Sequence, residues 1–161
     1  MKVYFAADHA GFELKSELVA YVRTLGHSVE DCGAHIFDKE DDYPAIIKKA
    51  GQHLSDDLLQ QYNNRAVVIG GSGQGEAIVM NRFKGVRCGL YYGSPSHKQV
   101  DAEGKELDII ESIRIHNDAN ALSLGARFLS VDEAKEAVKK WLDIPFPPHT
   151  RHEKRVWQID S

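Results

Sequence analysis

The segment from Arg65 to Glu76, RAVVIGGSGQGE, constrains this chain more than any other. Ala66 to Ile69 form a short apolar, β-branched run of the kind found in strands buried on both faces. Gly70, Gly71, Gly73 and Gly75 then leave almost no side chains around Ser72, so the backbone can approach a ligand closely. Ala77, Ile78, Val79 and Met80 continue as a helix. The loop therefore joins a strand's carboxyl end to a helix's amino end, where free N–H groups and the helix dipole favour an anion. The spacing excludes the commonest glycine-rich motifs. Glu76 stands where the third glycine of GxGxxG belongs, and no lysine follows in the P-loop position. What remains is a set of backbone donors, the Ser72 hydroxyl and the Glu76 carboxylate, which suits acid/base chemistry beside an oxyanion site. An ordinary strand-to-helix turn, with Glu76 favoured by the helix dipole, fits the same residues.

A chain of 161 residues is about one domain, large enough for a sheet covered on both faces. Residues 146–161 read as a tail that packs on a partner subunit. With 24 acidic against 20 basic residues and a formal net charge of -4, non-specific nucleic-acid binding is a poor fit. No apolar run approaches a membrane span and the amino terminus lacks a signal-peptide pattern, so the expectation is a cytoplasmic protein with no membrane partner. Cys32 and Cys88 have neither CxxC nor metal-ligand spacing and read as buried free thiols.

Strand patterns at Lys2 to Ala7, Ser28 to Asp31, Ala66 to Ile69, Val86 to Tyr91 and Ala121 to Leu124 alternate with helical ones, without hairpin signals. This predicts an α/β fold in three layers, a doubly wound sheet of about five parallel strands with a helical C-terminal tail. Gly26 is positioned to stop the first helix, Pro44 suits a helix's first turn, and Ser130 with Glu133 forms a capping box. The polar stretch from Gly93 to Glu111 reads as a loop leading into a helix. Pro147 and Pro148 separate the last helix from a basic tail, in which Arg151 and Arg155 share one helix face and Val156, Trp157 and Ile159 are apolar anchors.

Ligands of such sheets bind at the carboxyl ends of the strands. Three polar clusters are candidates: Asp8-His9 after the first strand, Ser72 to Glu76 after the third, and His116-Asn117 just before the fifth. Two histidines and an aspartate admit a metal, but HxxxH and HExxH spacings are missing, so the expectation is none.

The order of ADHAG with Lys15, DCG at Asp31 to Gly33, DYP at Asp42 to Pro44, GGSGQGE, GVRC at Gly85 to Cys88, HNDAN and LGAR resembles the ribose-5-phosphate isomerase B family, which also holds the galactose-6-phosphate isomerase subunits. The likeness covers most of the chain and fails between about Gly93 and Glu111. It implies a flavodoxin-like sheet and a homodimer or dimer of dimers. Many members carry a cysteine base where this chain has Gly70, and the resemblance is to the branch whose base is a glutamate, here Glu76. It further implies that Ser72 and the N–H groups of Gly71, Gly73, Gln74 and Gly75 hold substrate oxygens. His116 would protonate the ring oxygen, Asp8 and Asn117 would bind hydroxyls, and His9, Arg127, Arg151 and Arg155 would hold phosphate.

The implied reaction is an aldose–ketose exchange of a phosphorylated sugar, most simply ribose 5-phosphate to ribulose 5-phosphate. It needs a base, donors to an enediolate and a phosphate anchor, but no cofactor. A tetrose or hexose phosphate as substrate, and a phosphosugar-binding module without chemistry, are the alternatives.

Overall fold

The computed structural model describes residues 1–97, 99–102 and 104–161. Its centre is a five-stranded parallel sheet of β1 (Lys2–Ala7), β2 (Ser28–Asp31), β3 (Arg65–Gly70), β4 (Cys88–Tyr91) and β7 (Ala121–Gly125), in the order β2-β1-β3-β7-β4. The sheet is doubly wound, with β7 inserted between β3 and β4. The chain leaves β1 outward to β2 and returns to β3 on the other side, so the switch in strand order lies between β1 and β3, where α/β sheets bind ligands.

Period-two alternation sorts the strand residues between two layers. Val3, Phe5, Val67, Ile69, Leu122 and Leu124 face one side and pack under α1 (Phe12–Thr24), α4 (Ile109–Asn117) and α5 (Val131–Asp143), with Trp141 fully buried there. Tyr4, Ala6, Ala66, Val68 and Ala121 face the other side, under α2 (Tyr43–Leu59) and α3 (Gln74–Met80). Because both faces are covered, β1 and β3 are apolar almost throughout, as their sequences require. Gly26 takes φ +87° just after α1, and Ser130 and Glu133 form the reciprocal capping box of α5. Buried Lys15 ties α1 to the end of β2, with its ammonium 2.6 and 2.7 Å from the two Asp31 carboxylate oxygens and 2.7 Å from the Ala34 carbonyl.

Three expectations need correction. The stretch from Gly93 to Glu111 contains an antiparallel pair, β5 (Gln99–Val100) and β6 (Glu106–Leu107), before α4 begins. Asp101 and Lys105 close it, since the Asp101 N–H donates to the Lys105 carbonyl and the Lys105 N–H to the Asp101 carboxylate. Cys88 is only half-buried, unlike Cys32. Most consequentially, His116 and Asn117 end α4, and the chain then enters β7 at Ala121. In a parallel sheet that is the amino edge, so these two residues do not share an edge with Asp8 and Ser72. The tail forms α6 (Arg151–Asp160), which touches α4 and buries none of its residues. Among the described residues, no helix is long and apolar enough to cross a membrane.

Candidate active site

The glycine loop takes its shape from contacts that only glycine permits. Gly73 has φ +74°, and a Cβ there would stand 2.9 Å from the Leu124 carbonyl. The buried Ser123 hydroxyl donates to the Gly73 carbonyl at 2.6 Å, fixing the loop to β7. α3 starts at once, and the Gln74 N–H donates to Ser72 Oγ at 3.4 Å.

Glu76, in the first turn of α3, is 4% exposed and folds its carboxylate back over the end of β3. A Cβ on Gly70 would lie 2.0 Å from Glu76 Oε1 and 2.1 Å from Cδ. The carboxylate thus fills the space that any side chain at position 70 would need. Burial pushes the Glu76 carboxyl above its ordinary pKa; its own backbone hydrogen bond opposes this, and the Asp8 charge adds to it. An acid whose folded-state pKa is raised contributes stability below its unfolded value, and this is lost as pH rises through the folded value. Glu76→Gln should therefore melt higher than the parent protein at neutral pH, and the gain should vanish below about pH 4.5, where Glu76 is neutral in both states. Thermal melts of both proteins across that range check this, and an unchanged or lower midpoint for the variant at pH 7 would contradict it.

Asp8 and His9 reach the same edge from β1. Asp8 is buried, and its Oδ1 accepts from the N–H groups of Ala10 and Gly11 at 3.0 and 3.2 Å, capping the 3₁₀ turn His9–Gly11. A Cβ on Gly11 would stand 2.7 Å from the Ile69 carbonyl oxygen, so the absence of a side chain lets this turn lie directly on β3. His9 Nδ1 is 2.7 Å from Asp41 Oδ1, which also accepts the His9 backbone N–H at 3.1 Å. The hydrogen bond to Asp41 raises the His9 pKa, favouring the imidazolium an anionic group requires. Asp41 Oδ2 is buried without a hydrogen-bond partner. Donor atoms of Asp8, His9 and Asp41 lie within 4.8 Å of one another, so this trio could also hold a cation.

Arg127 completes the edge. Its N–H donates to the Gly71 carbonyl at 3.1 Å, and a Cβ on Gly71 would lie 3.1 Å from its guanidinium carbon. The Tyr43 ring covers Gly75, where a Cβ would stand 2.6 Å from the phenol oxygen. Asp41 and Tyr43 were not singled out as chemical groups by the sequence reading, although both lie in or beside the DYP motif. Their proximity to His9 and Gly75 is tertiary.

The remaining candidates form a second group at the opposite edge. His116 Nδ1 is 3.2 Å from Ser112 Oγ, and its ring stacks on His152 of α6 with centroids 4.2 Å apart. The Asn117 carbonyl accepts from Arg87 Nε at 3.1 Å, and Arg87 also pairs with Asp118 and Asp160. Arg151 and Arg155 lie on exposed positions of α6. The five residues of β7 separate the two groups by on the order of 15 Å. One chain brings together Asp8, His9, Ser72, Glu76 and Arg127, and separately His116, Asn117 and the two tail arginines.

Residues 3–159 match the family described as ribose/galactose isomerase. Ribose-5-phosphate isomerase B of Mycolicibacterium paratuberculosis is 34% identical over 156 residues, covering 97% of this chain and 87% of that one. The Mycobacterium tuberculosis protein of the same name is 35% identical, with 97% and 86% covered. Among solved structures, ribose-5-phosphate isomerase B from Mycoplasma genitalium, with bound ribulose-5-phosphate, superposes with a TM-score of 0.83 at 26% identity, over 99% of this chain and 93% of that one.

Proposed function

Because the chain belongs to the ribose/galactose isomerase family, we propose that it interconverts ribose 5-phosphate and ribulose 5-phosphate through an enediolate, without a metal or organic cofactor. The observation that carries this reading is the buried Glu76 carboxylate, folded over Gly70 beside a loop of backbone donors. Glu76 takes the proton from the carbon next to the carbonyl and returns it to the neighbouring carbon. Its raised pKa makes it a stronger base than an exposed carboxylate. Ser72 and the amides of Gly71, Gly73, Gln74 and Gly75 hold the oxygens on which charge develops, and Asp8 accepts from a sugar hydroxyl. His9, whose imidazolium form the hydrogen bond to Asp41 favours, and Arg127 hold phosphate from this side.

His116, Asn117, Arg151 and Arg155 enter the same site from a second copy of the chain. Support comes from their position at the far edge of their own sheet, and from apolar surface that one chain leaves uncovered. On α6, Trp157 is 70% and Ile159 63% exposed, and Ile78 and Phe128 are exposed near the glycine loop. A two-fold dimer buries such surfaces symmetrically and forms two sites at once. In this arrangement His116 protonates the ring oxygen, Asn117 binds a hydroxyl and the arginines close on phosphate. We assign the enzyme to the cytoplasm, where its two free cysteines suit a reducing environment.

Initial rates on ribose 5-phosphate, a tetrose phosphate and a hexose phosphate, each with a chelator present, test the assignment. Ribose 5-phosphate should give the highest kcat/KM; no turnover of it, or dependence on added metal, would overturn the proposal. Converting Arg151 and Arg155 together to alanine should raise KM for ribose 5-phosphate by about a hundredfold with a smaller change in kcat, since each removes a charge-assisted contact worth roughly tenfold or more. An unchanged KM would return the tail to a solvated basic segment.

A further inference from the structure

Away from the glycine loop, Glu30, Cys32 and His53 gather at the edge of the sheet. Glu30 lies on β2 and Cys32 just beyond it, two residues apart and therefore on one face of the strand. α2 covers that face and brings in His53. His53 Nδ1 lies 2.8 Å from Glu30 Oε1 and 4.0 Å from Cys32 Sγ, and one donor atom from each residue falls within 4.8 Å of the other two. Ligand atoms around a tetrahedral zinc ion stand about 3.3–3.6 Å apart, so the observed separations bracket what the ion needs.

The surroundings orient these donors. Lys2 holds the other Glu30 oxygen, Oε2, at 3.1 Å and leaves Oε1 facing His53. The Tyr4 ring meets His53 edge-on at 5.5 Å, while its hydroxyl donates to Asp57 of the same helix at 2.6 Å. Cys32 is buried, whereas His53 and Glu30 are partly exposed, so an ion can enter from solvent and keep a water as fourth ligand.

We propose that Glu30, Cys32 and His53 form a binding site for a zinc-like divalent ion that clips edge strand β2 to helix α2. Thiolate, imidazole and carboxylate together select a borderline-soft transition metal over magnesium or calcium. Burial and the charges of Glu30 and Asp31 push the Cys32 thiol up to about 12, so the free protein holds it protonated and the ion must displace that proton to solvent. His53 binds through Nδ1 with its proton on Nε2. The site lies on edge strand β2, with β1 between it and β3, and has no part in the isomerisation.

Cobalt(II) titration of untagged, chelator-stripped protein tests this, because a thiolate-to-cobalt charge-transfer band in the near ultraviolet reports sulfur ligation and distinguishes this site from the oxygen-and-nitrogen trio of Asp8, His9 and Asp41. The band should saturate at one ion per chain, survive Cys88→Ala, and disappear in both Cys32→Ala and His53→Gln. His53 is exposed enough for its variant to fold. Zinc at a hundredfold excess over its Kd should raise the melting midpoint of the parent protein by about 5–10 °C and leave that of His53→Gln unmoved. Absence of the band in the parent protein, its persistence in His53→Gln, or its loss in Cys88→Ala would overturn the proposal.

Discussion

Replacing Glu76 with glutamine should lower kcat for ribose 5-phosphate by at least about a thousandfold while the sugar phosphate still binds, within the range spanned by positioned general bases. Glutamine fits the same space over Gly70, so the loop and its amides stay where they are. An amide cannot accept the proton, and the loss falls on kcat rather than on KM. The same substitution removes a buried charge, so the inactive protein should also be the more stable one at neutral pH. Activity and stability changing in opposite directions is the mark of a group kept for chemistry against a folding cost. Steady-state rates with the purified variant decide the point, and a near-normal kcat would remove Glu76 as the base.

The architecture was legible in the sequence wherever a local pattern determined it. The apolar runs at Lys2 to Ala7 and before Gly70, the stop at Gly26 and the pairing of Ser130 with Glu133 each have a short-range physical cause. The β5–β6 pair had none, because strands of two residues carry no periodicity and depend on the closure between Asp101 and Lys105. The site was legible only on one side. Asp8 and Glu76 follow strands and so stand at the carboxyl edge, whereas His116 and Asn117 precede β7 and stand at its amino edge, however near that strand they lie in sequence. Asp41, Tyr43 and His53 acquire their contacts only when α2 and its lead-in segment pack against the sheet. Cys32 and His53 stand 21 positions apart, a spacing that corresponds to no ligand motif.

The division of candidate groups between two edges makes one further prediction. His116→Gln should also be nearly inactive, having lost its proton donor, yet it leaves Glu76 and the whole glycine loop intact. In a dimer that joins the loop of one copy to His116 of the other, a mixed dimer of Glu76→Gln and His116→Gln chains carries one site with both defects and one with neither. Random reassortment produces about half mixed dimers, each with one working site of two, so the mixture should recover about a quarter of the parent activity. The most direct measurement is therefore the ribose 5-phosphate isomerase rate of the two variants after unfolding and refolding together, compared with each refolded alone. Recovery to about a quarter of the parent rate is the predicted result. A mixture no more active than the sum of its separate components would contradict a site shared between two copies.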